Sequence, residues 1–79
     1  MRVEFSRHAL EQMRVRGISR HSVIEALEHP DKVIYDDGTA TYQRIEEDGM
    51  YLLRVILNLN IDPPKVITLY RTSKINKYS

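Results

Sequence analysis

Residues 32–58 read KVIYDDGTATYQRIEEDGMYLLRVILN, and the two-residue period of this stretch decides the fold class. In Met50–Asn58, Tyr51, Leu53, Val55 and Leu57 face one side of an extended chain, and Leu52, Arg54, Ile56 and Asn58 face the other. One side is solidly apolar and the other is mixed. Asp37-Gly38, between Lys32–Asp36 and Thr39–Glu46, is a strong tight-hairpin signal, and Glu47-Asp48-Gly49 marks the next turn. After a looser connection containing Asp62-Pro63-Pro64, Lys65–Thr72 reads as a fourth strand in which Ile67 and Leu69 alternate with Thr68 and Tyr70. Hairpin connections leave no room for parallel crossovers, so the strands are expected to run antiparallel.

Upstream of the strands the period lengthens. Ser6 reads as a helix N-cap, with Phe5 packing on Leu10 as a hydrophobic staple, and Gly17 ends that helix. The same pattern follows at once, with Ile18 before the cap Ser19, Val23 inside the next helix, and His29-Pro30 as its stop. Ala9, Leu10 and Met13 form the expected buried stripe of the first helix. Val23, Ile24 and Leu27, with Ala26 beside them, form that of the second. The expectation is an α+β fold: two short N-terminal helices packed on one face of a four-stranded antiparallel sheet, residues 1–79 forming a single domain. The other sheet face, carrying Arg44, Arg54, Thr68 or Tyr70 according to register, is then free for a ligand or partner.

A chain of 79 residues with 42% hydrophobic residues has room for one core. It contains no cysteine, which excludes a disulfide framework, a thiolate nucleophile and a Cys-based zinc site. No stretch approaches the ~20 apolar residues of a membrane span, and the start carries charges rather than an apolar leader, so a soluble, cytoplasmic protein is expected. The net charge of +1 conceals segregation. Arg2, Arg7, Arg14, Arg16 and Arg20 crowd the beginning, Lys65, Arg71, Lys74 and Lys77 the end, and acids dominate between them. Should the ends meet in space, they form one positive face suited to phosphate.

Two places carry residue types able to do chemistry. His8, Gln12 and Arg16 lie at i, i+4 and i+8 along one helix edge. Metal-free RNA cleavage needs a base for the 2′-hydroxyl proton, an acid for the leaving oxygen and fixed positive charge for the transition state, and His8 and Arg16 are suitable types. At the other end, Tyr70-Arg71-Thr72-Ser73-Lys74 and Lys77-Tyr78 interleave aromatic rings, hydroxyls and cations. Arg71 can fork onto a phosphate, Thr72 can orient one, and Tyr70 or Tyr78 can stack on a base. The same residues also have plain structural uses, as helix-edge and strand-forming positions. His8, His21 and His29 lack the short paired spacing of zinc motifs, and no cofactor fingerprint is present, so neither metal nor cofactor is expected.

Phe5-Ser6-x-His8-Ala9-x-x-x-Met13-x-x-Arg16-Gly17-Ile18-Ser19, Val23-x-x-Ala26-Leu27-x-x-Pro30 and Val66-Ile67-Thr68-Leu69-Tyr70 together resemble the bacterial DUF4258 family. That family looks similar to the compact RNase toxins of the RelE and BrnT kind. The resemblance implies a toxin-like, metal-independent endoribonuclease held inactive by a cognate antitoxin. In that reading His8 is the general acid/base, Arg16 and Arg71 clamp the phosphate, and Thr72 with Tyr70 positions the substrate. Gln12, Lys74 and Tyr78 complete the RNA contacts. The near balance of charge departs from the heavy Lys and Arg excess of ribosome-dependent RNase toxins and argues against ribosome binding. The reading from another class is a non-catalytic module whose free sheet face binds a protein or nucleic acid. An exposed last strand would also offer edge-to-edge pairing in a homodimer.

Overall fold

The computed structural model describes residues 2–47 and 49–78. Asp48, expected in the second turn, lies outside the described residues. Elements follow in the order β1 (Glu4–Phe5), α1 (Arg7–Arg16), α2 (Arg20–Glu28), β2 (Lys32–Asp36), β3 (Thr39–Glu46), β4 (Tyr51–Asn58), β5 (Lys65–Thr72) and α3 (Ile75–Tyr78). They build an α+β fold with one sheet in the order β1-β5-β4-β3-β2.

The sheet therefore has five strands, not four, and it is mixed rather than wholly antiparallel. The additional strand, β1, pairs parallel with the start of β5 through Glu4↔Lys65 and Phe5↔Val66. Two residues are too few to display a period, and their partner lies some sixty positions away, so the pairing leaves no local mark. The start of the last strand, Lys65 and Val66, is consequently covered by β1. β5 lies between β1 and β4, and the outer strands are β1 and β2.

The hairpins form where turn residues demand them. Asp37 and Gly38 both hold positive φ, 41° and 85°, which is the two-residue turn whose twist matches that of the strands. A side chain at Gly38 would also strike the Asn60 amide, 2.6 Å from an ideal Cβ. Gly17, at φ 66°, closes α1 in the left-handed conformation as expected.

Both helices cover one sheet face. Val23, Ala26 and Leu27 of α2, Ala9 of α1 and Ile18 between them are buried against Leu53, Val55, Leu57, Val66 and Leu69. Ile18 and Val23 are both buried, as the staple reading of α2 requires. Leu10 departs from its expected place: it is 49% exposed, and Phe5 instead enters β1, packs on the core and carries the Arg20 guanidinium 4.8 Å above its ring. The alternation in β5 departs too. A bulge lets Ile56 pair with Thr68 but Leu57 with Val66, so Ile67 is extra, and Val66 and Leu69 share the core face.

That bulge is where the first helix is fastened. The Ser6 hydroxyl accepts from the Ala9 backbone N–H at 2.9 Å, capping α1, and donates to the Ile67 carbonyl at 2.9 Å. The Ser6 N–H adds a 2.9 Å bond to the Val66 carbonyl. The opening helix and closing strand thus meet through one residue. Ser6→Ala removes both hydroxyl bonds and is expected to cost about 1–3 kcal/mol in urea unfolding, whereas Ser6→Thr, which keeps the oxygen, should cost much less.

Candidate functional site

Register decides what the uncovered face presents. Lys32↔Gln43, Gln43↔Arg54 and Arg54↔Tyr70 are successive cross-strand partners, so one polar row crosses β2, β3, β4 and β5. Leu57 and Val55 fix the opposite face in the core, and the two-residue period turns Arg54 outward. Arg44 is one residue out of phase with Gln43 and goes to the helix side, where it donates to the His29 carbonyl and approaches Glu25 at 3.9 Å.

Within the row, Arg54 is the hub. Its Nε donates to Gln43 Oε1 at 2.7 Å and its Nη1 donates to the Tyr70 hydroxyl at 2.6 Å. After β5, Thr72 Oγ1 accepts from the Lys74 N–H at 3.0 Å and shapes the turn into α3. That turn brings Tyr78 over the row. Its ring lies 4.1 Å from the Arg54 guanidinium carbon and meets the Tyr70 ring edge-on at 6.5 Å. The Tyr78 carbonyl accepts from Gln43 Nε2 at 3.3 Å. Gln43 is only 3% exposed, and both ends of its amide are bonded, which is what makes its burial tolerable.

The tyrosines feel this arrangement in opposite senses. Burial, together with hydrogen bonding to Tyr78, raises the Tyr70 phenol above its usual range, with Arg54 opposing. Hydrogen bonding with Tyr70 lowers the Tyr78 phenol, and the charges of Lys77 and Arg54 add to this. As pH rises toward 10, folded Tyr78 releases its proton before the unfolded chain does, so stability gains. Above 10 the unfolded chain loses the Tyr70 proton first, so stability falls. Carbon-13 NMR titration of labelled tyrosine is expected to show this split, and Tyr70→Phe should move Tyr78 part of the way back toward the ordinary phenol range, the charges of Lys77 and Arg54 remaining.

His8, at the second position of α1, stands beside the same face. Its Nε2 lies 3.1 Å from Thr68 Oγ1, and Thr68 is two residues before Tyr70 on β5. Gln12 and Arg16 continue along the helix edge, bonded to each other through Arg16 Nε and Gln12 Oε1 at 2.7 Å. Of the residues singled out from sequence, His8, Tyr70, Thr72 and Tyr78 are brought to the region of the uncovered face. Lys74 is exposed in the turn before α3.

Arg71 is not brought there. It pairs across from Leu53, which places it on the helix side, and its Nε donates to Glu46 at 2.9 Å. Both residues line a cavity of about 410 Å³ with His21, Ser22, Glu25 and Arg44. Its two arginines already face glutamates, Arg44 toward Glu25 and Arg71 toward Glu46, so it presents no excess of positive charge. Sequence reasoning put Arg54 on the mixed side of its strand without giving it a role in the site, and it missed Gln43, which sits between Tyr42 and Arg44 with no local signal of its burial. Among the described residues, no group of three His, Cys, Asp or Glu is arranged to hold a metal ion. No described helix is long and apolar enough to cross a membrane.

The model of the family described as a domain of unknown function, DUF4258, matches residues 5–71. The chain belongs to the DUF4258 family. The match runs from Phe5 of β1 to Arg71 of β5 and so includes His8, Gln12, Arg16, Gln43, Arg54 and Tyr70, while Thr72, Lys74 and Tyr78 lie past its end. In this DUF4258 chain the α3 cap over the polar row is thus an addition to the matched region. No curated protein and no solved structure matches the chain.

Proposed function

We propose that this protein is a toxin-like, metal-independent endoribonuclease with the plan of the RelE and BrnT RNases, working in the cytoplasm under a cognate antitoxin. The observation that carries the reading is the contact of His8 with Thr68, on the strand face that also presents Tyr70 and, through it, Arg54. Thr68 and Tyr70 are one strand period apart, about 7 Å. An imidazole, a phenol and a guanidinium therefore lie within the reach of one nucleotide.

In the reaction, a base takes the 2′-hydroxyl proton, the 2′-oxygen attacks phosphorus, and the 5′-oxygen leaves with a proton. The products are a 2′,3′-cyclic phosphate and a free 5′-hydroxyl. His8 serves as the acid/base, and Arg54 supplies the positive charge that steadies the phosphorane. Arg16 and Gln12 contact the flanking backbone, and Tyr70, Thr72, Lys74 and Tyr78 position the nucleotide. Arg71, paired with Glu46 on the other side, has no part in this site.

Purified protein incubated with RNA in the presence of a chelator is expected to produce cyclic-phosphate ends, more slowly after His8→Ala or Arg16→Ala. Equal activity in the variants, or no cleavage under any condition, overturns the nuclease reading. Salt-dependent RNA binding without cleavage would instead mark a non-catalytic binding module.

A further inference from the structure

The five-residue outer strand β2 is paired, among the described residues, with β3 on one side only. The two-residue turn makes Asp36 and Thr39 a hydrogen-bonded pair, and bonded and non-bonded pairs alternate from there. Asp36, Ile34 and Lys32 therefore direct their backbone groups at β3, and Val33 and Tyr35 direct theirs away from the sheet. Tyr35 is 69% exposed on this edge. Such an edge is a template for another strand.

The edge sequence, Lys32-Val33-Ile34-Tyr35-Asp36, is complementary to its own reverse. Antiparallel pairing about a two-fold axis at Ile34 sets Lys32 against Asp36, Val33 against Tyr35, and Ile34 against itself. Opposite charges meet at both ends, and apolar side chains meet between them. Side-chain direction agrees, because Lys32, Ile34 and Asp36 share the uncovered face while Val33 and Tyr35 share the helix side. Backbone geometry agrees as well: the facing pairs Val33 and Tyr35 are those with outward N–H and C=O groups. Moving the axis to Val33 or Tyr35 sets Ile34 against Lys32 or Asp36 and loses the charge match.

We propose that a second copy of this chain pairs antiparallel with β2 about Ile34, joining two five-stranded sheets into one continuous sheet. The axis stands perpendicular to the sheet, so both helix layers lie on one side and both uncovered faces on the other. This pairing does not depend on RNA being the ligand.

Sedimentation velocity of the full chain across a concentration series tests it. The wild-type protein is expected to dimerise. Asp36→Lys sets two lysines against each other at each end and should weaken the dimer about tenfold or more, and the exchange Lys32→Asp with Asp36→Lys should restore it. Tyr35→Pro deletes an outward N–H while leaving the β3 ladder intact, and it should give a folded monomer by circular dichroism. A monomer at every concentration, or a dimer indifferent to these changes, overturns the proposal. Should a variant fail to fold, hydrogen exchange of the wild-type protein still decides. The Val33 and Tyr35 amides gain protection with concentration if the edges pair, and exchange at a constant rate if they do not.

Discussion

Leu53→Ala is expected to destabilise the protein by about 2–5 kcal/mol. Leu53 has no exposed surface and sits on the core face of β4, the central strand, in the same cluster as Val23, Ala26 and Leu27 of α2. A domain of this length has a total stability of about 4–12 kcal/mol, so the loss is a large fraction of the whole. The site cannot collapse readily, because β3 and β5 hold β4 on both sides and two helices close the face above it. The neighbouring Leu52, on the uncovered face, is also nearly buried but lines a cavity of about 240 Å³ with Ile45 and Ile75. Leu52→Ala enlarges an existing void and should cost less. Urea unfolding by circular dichroism measures both, and a Leu52→Ala loss exceeding that of Leu53→Ala would contradict this account of where the core lies.

Those two leucines also show how much was legible in advance. The alternation in 50–58 assigns Leu53 to the apolar side and Leu52 to the mixed side, because side-chain direction in a strand is a local property. Helix caps at Ser6 and Ser19, the stop at Gly17 and the Asp37-Gly38 turn are likewise local, and all stand where the residues put them. What was illegible depends on partners distant in the chain. β1 exists only because β5 lies beside it, and the Ile67 bulge shows only against the spacing of β4. Without the register the face taken by Arg44 was open, and nothing in Tyr70-Arg71-Thr72 revealed that Arg71 turns to Glu46.

The candidate site was legible in the same uneven way. The edge formed by His8, Gln12 and Arg16 follows from helical spacing, but the contact of His8 with Thr68 arises because the Ser6 hydroxyl, serving helix and strand at once, fastens α1 to β5. Tyr78 stood out as a ring within a basic tail. Its carbonyl and ring complete the surroundings of Gln43 and Arg54 only because α3 folds back over the sheet.

Arg54 and His8 should therefore fail differently when removed. Arg54→Ala leaves the buried Gln43 oxygen without its donor and the Tyr70 hydroxyl without its cation, and it strips the surface beneath the Tyr78 ring. The expected structural cost is about 1–3 kcal/mol, and, on the proposed nuclease reading, the expected loss of RNA cleavage is about 10²–10³-fold, the size typical of a preorganised charge at a transition state. Arg54→Lys keeps a charge but cannot fork to Gln43 and Tyr70 together, so it should recover part of the stability and little of the rate. His8 is exposed, and its one bond to Thr68 lies at the surface, so His8→Ala should leave unfolding almost unchanged. On the proposed nuclease reading its effect belongs to the rate alone, a loss of about 10²–10⁴-fold. Cleavage rates and unfolding midpoints measured on the same three preparations separate the two roles. If His8→Ala lowers stability as much as Arg54→Ala while both retain cleavage, the polar row and its neighbouring imidazole are scaffolding, and the chemistry must be sought elsewhere.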